Sequence, residues 1–349
     1  MDKKMKVCVT GAAGYLGSYL VKKLLEKGYI VHATTRNLGD TRKVGLLKSL
    51  PNAETGLRLF EADIYNSDQF KYAIQGCEIV VHLATPLIHE PQSSQFKDTS
   101  EAAVAGVKSI VESCIKAGTV KRLIYTASVV ASSHMKEEGL RFKDSMNVSC
   151  WTPINLSFPN SPQAMTVRIT WLHKLINNRL ILYNKFLHNS EKLEVVSITC
   201  GLVGGGTVHS AMSQSMGILI SQVTEDKIWY PTLRQLEDII GKLPIVHNED
   251  VREAHIFCIE KPSVSGRFIC AKLKALLSSA EIANYWQKKY PHIAINGEFV
   301  ENLDREIVLN STKLKELGFE YKHGIEKILD DTLKCVQELG QLSVLTQPI

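Results

Sequence analysis

A glycine-rich turn between a short apolar run and a helical pattern narrows the folds open to this 349-residue chain. It reads Val7-Cys8-Val9-Thr10-Gly11-Ala12-Ala13-Gly14-Tyr15-Leu16-Gly17. Lys6–Thr10 has the composition of a buried strand, and apolar residues at helical spacing predict a helix over Gly17–Glu26 that stops at Gly28. Gly11 permits the tight turn, Gly14 lets main-chain amides approach a phosphate, and Gly17 lets helix and strand pack closely. The helix dipole favours an anion at that end. The Gly-x-x-Gly-x-x-Gly spacing therefore predicts a dinucleotide with its pyrophosphate on Gly11–Gly17, contacted also by Ala13, Tyr15 and Leu16.

The end of the next strand, Tyr29–Thr35, separates the two nicotinamide dinucleotides. An acidic residue there would hold a ribose 2′-hydroxyl, whereas this chain has Thr34-Thr35-Arg36 and then Lys43. The planar fork of an arginine suits a 2′-phosphate, so NADP(H) is expected. After a third strand, Asp63 is placed either to bond the adenine amino group or simply to make a turn, with Ile64 beside it. Leu83, Ala84 and Thr85 follow a fourth strand, at the carboxyl edge where ligands of open α/β sheets lie.

Strand-like and helical stretches alternate through about residue 205. Strands are expected at Leu57–Ala62, Glu78–Leu83, Lys121–Ser128 and Leu193–Cys200, and helices at Gln69–Ile74, Ser100–Ala117 and Thr166–Leu187. This is the rhythm of an α/β, Rossmann-type, doubly wound parallel sheet. Beyond Gly204–Gly206 the alternation is lost. The expected division is a nucleotide domain over 1–204 and a smaller mixed α/β substrate lobe over 205–349, with Leu243–His247 and Gly266–Cys270 as candidates to return to the main sheet.

A hydrophobic content of 44% and a charged content of 22% are ordinary for a globular protein. The net charge of +5 comes from scattered lysines, which excludes a nucleic-acid stripe and suits a small anionic ligand. No run approaches the roughly 18–20 apolar residues of a membrane span, and the N-terminus runs straight into a strand. Eight widely spaced cysteines, without Cys-x-x-Cys or clustered histidines, argue against a zinc site or disulfide framework and for a reducing, cytoplasmic setting.

These residues resemble an extended short-chain dehydrogenase/reductase of the plant branch that holds dihydroflavonol 4-reductases, anthocyanidin reductases and vestitone reductases. The likeness covers nearly the whole chain. It rests on Val7–Gly11, Thr35-Arg36, Gln75-Gly76-Cys77, Ala84-Thr85-Pro86, Lys121–Thr126, Cys150-Trp151-Thr152-Pro153, His247 to His255 and Gly266–Cys270. It implies NADPH-dependent reduction of a plant specialised metabolite by a monomer. It also extends the cofactor contacts to Thr126, Lys174, Cys200, Leu202 and Val203.

Catalysis in such a family uses a serine after the fifth strand and a Tyr-x-x-x-Lys on the next long helix. Hydride delivered to a carbonyl carbon leaves an alkoxide that needs a proton; the tyrosine supplies it, its pKa lowered by the lysine ammonium. Ser128 provides the serine. The window Thr166-Val167-Arg168-Ile169-Thr170-Trp171-Leu172-His173-Lys174 holds no tyrosine. His173 is the best substitute acid there, with a helix-surface histidine as the plain alternative, and Lys174 is positioned to hold the ribose. Tyr19…Lys23 and Tyr285…Lys289 match the spacing elsewhere and read as coincidences.

Three functions follow. The first is a reductase of a flavonoid-like or other polycyclic, apolar electrophile with an atypical proton donor; an iminium or flavylium substrate suits it, because hydride addition to a cation leaves no alkoxide. The second is a non-redox cyclase or isomerase on the same fold, for which the altered helix and Gly204-Gly205-Gly206 speak. The third is an inactive NADP(H)-binding homologue. The substrate pocket is expected among His134, Met135, Trp151, Phe158, His209, Met212 and Met216, each of which core packing would also explain.

Overall fold

A computed structural model describes residues 4–85, 96, 99–133, 135–136, 142–153, 193–272, 276–297 and 307–342. The expected helix at 166–187, with Thr170, His173 and Lys174, lies outside these residues, as do His134 and Phe158.

The described chain divides into two compact units. The first takes residues up to 127, then 193–198 and 255–267; the second takes 128–153, 199–254 and 268–342. Strands β1 (Lys6–Thr10), β2 (Ile30–Thr35), β3 (Leu57–Glu61), β4 (Ile79–His82), β5 (Arg122–Ser128) and β6 (Glu194–Cys200) follow in chain order. After them come β7 (Leu202–Gly204), β8 (Leu243–His247), β9 (Gly266–Cys270) and β10 (Leu276–Leu277). The main sheet has seven strands in the order β9-β6-β5-β4-β1-β2-β3. Pairs β1–β2, β1–β4, β2–β3 and β4–β5 are parallel. The order reverses between β1 and β4, the switch point where ligands of doubly wound sheets lie.

Alternation along the strands explains the layering. Cys8, Val80, Leu123 and Val195 face one side of the sheet, where they join Phe70, Ala73, Ile74, Ile110 and Cys114 in one buried cluster. These partners come from helix α3 (Phe70–Ile74) and helix α4 (Thr99–Ala117). Helix α1 (Tyr15–Glu26) buries Leu20, Val21, Leu24 and Leu25 and packs on β1 and β2. It starts two residues before the expected Gly17, because Gly14 is its N-cap. Helix α2 (Thr41–Lys48), started by the Asp40 cap, was not anticipated.

Of the two candidate returning strands, only β9 joins the main sheet. β8 lies between β7 and β10 in a separate three-stranded sheet, parallel to the first and antiparallel to the second. The smaller sheet is thus mixed, as the rhythm beyond residue 206 implies.

In the second unit, helix α5 (Trp229–Ile240) sends Glu237 to the backbone and hydroxyl of Ser279, and helix α6 (Asn248–Glu260) follows β8. Helix α7 (Ser279–Lys289) is tied to helix α8 (Ile325–Glu338) through Asp330. The carboxylate accepts from Tyr285 at 2.6 Å and Tyr290 at 2.9 Å, and pairs with Lys289. This explains the Tyr285…Lys289 spacing. Burial and the Asp330 charge push the Tyr285 hydroxyl up, the reverse of what a proton-donating tyrosine needs. Burial of Asp330 opposes its ionisation, but bonds from Lys289, Tyr285 and Tyr290 outweigh this and hold its carboxyl below the ordinary value of 3.8. A depressed folded pKa gives stability that is present above 3.8 and lost as pH falls through the lower folded value. Asp330→Asn should therefore flatten the acid limb of stability below about pH 4, read as the urea midpoint against pH.

Candidate dinucleotide site

The turn after β1 is held by its own main chain and by β2. Gly14 donates to the Gly11 carbonyl at 3.0 Å, and Ala12 donates to the Thr34 carbonyl at 3.1 Å. The Gly11 amide reaches Thr34 Oγ1 at 3.4 Å. Gly11 has φ +66°, and a Cβ there would lie 2.9 Å from the backbone of Ala84. At Gly17 a Cβ would lie 2.3 Å from the Gly11 carbonyl oxygen. Both positions need glycine, one for conformation and contact, the other for contact alone.

A hydroxyl draws Ala84 so close. Thr10 Oγ1 accepts from the Leu83 and Ala84 amides, each at 3.2 Å, and lies 2.7 Å from His82 Nδ1. With both lone pairs taken, the hydroxyl donates its one proton to Nδ1, which fixes His82 as the Nε2–H tautomer. The ends of β1 and β4 are latched beside the switch point. Neither this latch nor Thr34 was foreseen from sequence; a threonine closing the strand before the first glycine was the available signal.

The carboxyl ends of β1 to β4 enclose a cleft of about 450 Å³. It gathers Gly11, Ala13, Gly14, Arg36, Lys43, Asp63, Ile64, Leu83, Ala84 and Thr85 of the expected site, and adds Thr34, Thr35, Ala62 and Tyr65. Tyr15, Leu16 and Gly17 form the first turn of α1. That helix end has no side-chain cap and no acidic residue in its first turn. Its first intrahelical bond here is Ser18 to the Gly14 carbonyl, so the amides of the opening turn point out of the helix. An anion there would take the capping role, so the residues present fit a pyrophosphate.

Arg36, just past the end of β2, is exposed, and Lys43 stands in the first turn of α2. Of the two roles foreseen for Asp63, the turn is formed, its Oδ1 accepting the Tyr65 amide at 3.0 Å, and the residue also lines the cleft.

The remaining expected residues are not among those that line the cleft. Thr126 Oγ1 lies 2.7 Å from Nε2 of the buried His255. Cys200, Leu202 and Val203 belong to the second unit, where Cys200 is buried beside Cys270. Ser128 closes β5 with its Oγ accepting the Val130 amide at 3.4 Å, which leaves the hydroxyl proton for donation to a carbonyl oxygen. Met135 and Met216 are buried in the second unit, and Trp151 is 37% exposed.

Among the described residues, one set of metal-ligand types converges: His247, Glu249 and His323, within 4.8 Å of one another. His247 has spent both ring nitrogens, because Nδ1 accepts the Glu249 amide at 3.1 Å and Nε2 lies 3.2 Å from Asp331 Oδ2. The histidine works as a hydrogen-bonded tie between β8, α6 and α8. No described helix is long and apolar enough to cross a membrane.

The seven-stranded sheet and its glycine cradle define a Rossmann-type nucleotide-binding protein. Comparison with known proteins narrows this. The sequence pattern of the NAD dependent epimerase/dehydratase family matches residues 7–147. A dihydroflavonol 4-reductase of Gerbera hybrida is 34% identical over 99% of this chain and 89% of its own. An anthocyanidin reductase of Arabidopsis thaliana is 30% identical over 96% of this chain and 95% of its own. The crystal structure of vestitone reductase from alfalfa superposes with a TM-score of 0.74 at 30% identity, covering 97% of this chain and all of that one. The chain belongs to the extended short-chain dehydrogenase/reductase branch of the NAD dependent epimerase/dehydratase family.

Proposed function

We propose that the chain is an NADPH-dependent reductase of a flavonoid-like or other polycyclic electrophile. The observation that carries this reading is the cleft that joins the Gly11–Gly17 cradle to Arg36 and Lys43 without an acidic residue at the end of β2. Bound there, NADPH supplies a hydride. Gly11, Gly14 and the opening turn of α1 hold the pyrophosphate. Arg36 and Lys43 would hold the 2′-phosphate, and Leu83 to Thr85 would border the bound dinucleotide. Ser128 donates to the substrate oxygen. The names of the relatives support a plant specialised metabolite as the substrate. The lack of tyrosine in residues 166–174 supports a proton donor other than tyrosine, with His173 assigned to it and Lys174 to the ribose. Eight free thiols support a cytoplasmic setting.

The test is turnover of a dihydroflavonol, an anthocyanidin and vestitone with NADPH. One NADPH consumed per product is the expected result. Turnover without NADPH consumption would assign the non-redox alternative, which the same gap in residues 166–174 favours. Tight NADPH binding without turnover of any of them would assign a binding protein. Charge-assisted hydrogen bonds are worth about 1.5–3 kcal/mol, so Arg36→Ala should weaken NADPH binding about 10- to 100-fold and leave NADH nearly unchanged. Titration of cofactor fluorescence measures both.

A further inference from the structure

Asp40 stands beside Lys43, one of the two cations of the cleft, and no role is expected for it from its place in the sequence. Its Oδ1 accepts the Lys43 amide at 3.1 Å, which caps α2. Its Oδ2 lies 3.3 Å from Lys43 Nζ, so the carboxylate also pairs with the ammonium that borders the cleft. The Lys43 side chain is 46% exposed and that of Asp40 is 25% exposed. The two effects of such a pair oppose each other toward an incoming phosphate. Asp40 restrains the ammonium, which favours binding, and it neutralises the ammonium, which disfavours binding.

Magnitudes decide between them. Exposed ion pairs restrain their partners weakly, as their small coupling energies show. A carboxylate one ion-pair distance from a cation repels any phosphate that shares that cation, and in water-rich surroundings this is worth a several-fold change in affinity. Neutralisation wins.

We propose that Asp40 is a specificity-setting residue that lowers the chain's discrimination for a 2′-phosphorylated adenosine. It does so by competing for the Lys43 ammonium, and the inference rests on the 2′-phosphate reading of Arg36 and Lys43. The phosphate must share Lys43 with a resident anion, so Arg36 carries most of the preference and Lys43 a reduced part. The same carboxylate is needed for the helix start, which explains how a group that opposes the ligand is kept beside it.

The test separates charge from cap. Asparagine is as good an N-cap as aspartate, so Asp40→Asn keeps α2 and removes only the charge. Dissociation constants of adenosine 2′,5′-bisphosphate and of adenosine 5′-monophosphate are measured by calorimetry on the whole protein at low salt. In Asp40→Asn the bisphosphate should bind about 3- to 10-fold more tightly while the monophosphate is unchanged, and the gain should shrink at high salt. In Asp40→Asn/Lys43→Gln the gain should vanish. Unchanged or weaker bisphosphate binding in Asp40→Asn, with far-UV circular dichroism preserved, overturns the inference. A wild-type protein that binds the two ligands equally overturns instead the 2′-phosphate reading on which it rests.

Discussion

Gly17→Ala should cost the protein its dinucleotide, lowering affinity by about 100-fold or more. The added methyl meets the Gly11 carbonyl oxygen at 2.3 Å, the Ala12 Cα at 2.9 Å and the Ala12 carbonyl carbon at 3.0 Å. All three atoms are backbone, so no side chain can swing aside. Either α1 lifts from the turn or the turn moves, and each displaces the amides that define the cradle. A misplacement near 1 Å costs roughly 10²-fold where function depends on fixed geometry. Overpacking itself should destabilise by about 1–3 kcal/mol. Gly45→Ala is the control. Gly45 lies inside α2 with nothing within 4 Å of a new Cβ, and there alanine should raise stability by about 0.5–1 kcal/mol. Calorimetric titration with NADP⁺ and urea melts on both variants check the contrast. Gly17→Ala with wild-type affinity would mean that the cradle is not where the dinucleotide binds.

The second large effect is on the fold. Arg122 opens β5 with a side chain that is 5% exposed, and its guanidinium has many partners. Its Nε reaches Glu194 Oε2 at 2.7 Å, and one terminal nitrogen pairs with the same carboxylate. The other donates to the carbonyls of Cys258 at 2.6 Å and Lys261 at 2.8 Å, where α6 ends. A fixed cation at a helix C-terminus satisfies orphan carbonyls and opposes the negative end of the dipole. Arg122→Met keeps the buried stem and removes every one of these bonds. The glutamate it leaves behind is 34% exposed and can be rehydrated. The expected loss is therefore about 2–4 kcal/mol, centred lower than the roughly 3–5 kcal/mol for a fully buried pair. Glu194→Gln retains the carbonyl bonds and should cost less. Urea unfolding of the two variants gives the comparison, and equal losses would place the stabilisation in the ion pair instead of the helix end.

The strands from β1 to β6 were legible because each is a short apolar run bounded by glycine, proline or polar residues. Helix α2 was not: Leu47 is its buried residue, so it has no apolar stripe, and it exists through the Asp40 cap. Neither could the places of β8 and β9 be separated. Both are five-residue buried strands, and which sheet each joins depends on partners distant in sequence. In the cleft, residues that act through local backbone shape could be read from spacing. The Thr10 latch spans 72 residues and the Thr126–His255 bond spans 129, so no local pattern announces them. The coincidence at Tyr285 and Lys289 shows the converse: spacing matched a catalytic pair, and Asp330, far along the chain, gave both side chains other work.

The Arg122 bonds also set a timetable. A ribosome delivers β5 well before residues 258 to 262, whose carbonyls and helix end its guanidinium needs. Until then the arginine has at most Glu194, itself more than seventy positions downstream. A fragment ending at residue 204 carries the whole glycine cradle but lacks β9 and the carbonyl ring around Arg122. The unit that carries the glycine cradle is thus finished from behind, by chain made after the second unit's β7 to β8 stretch.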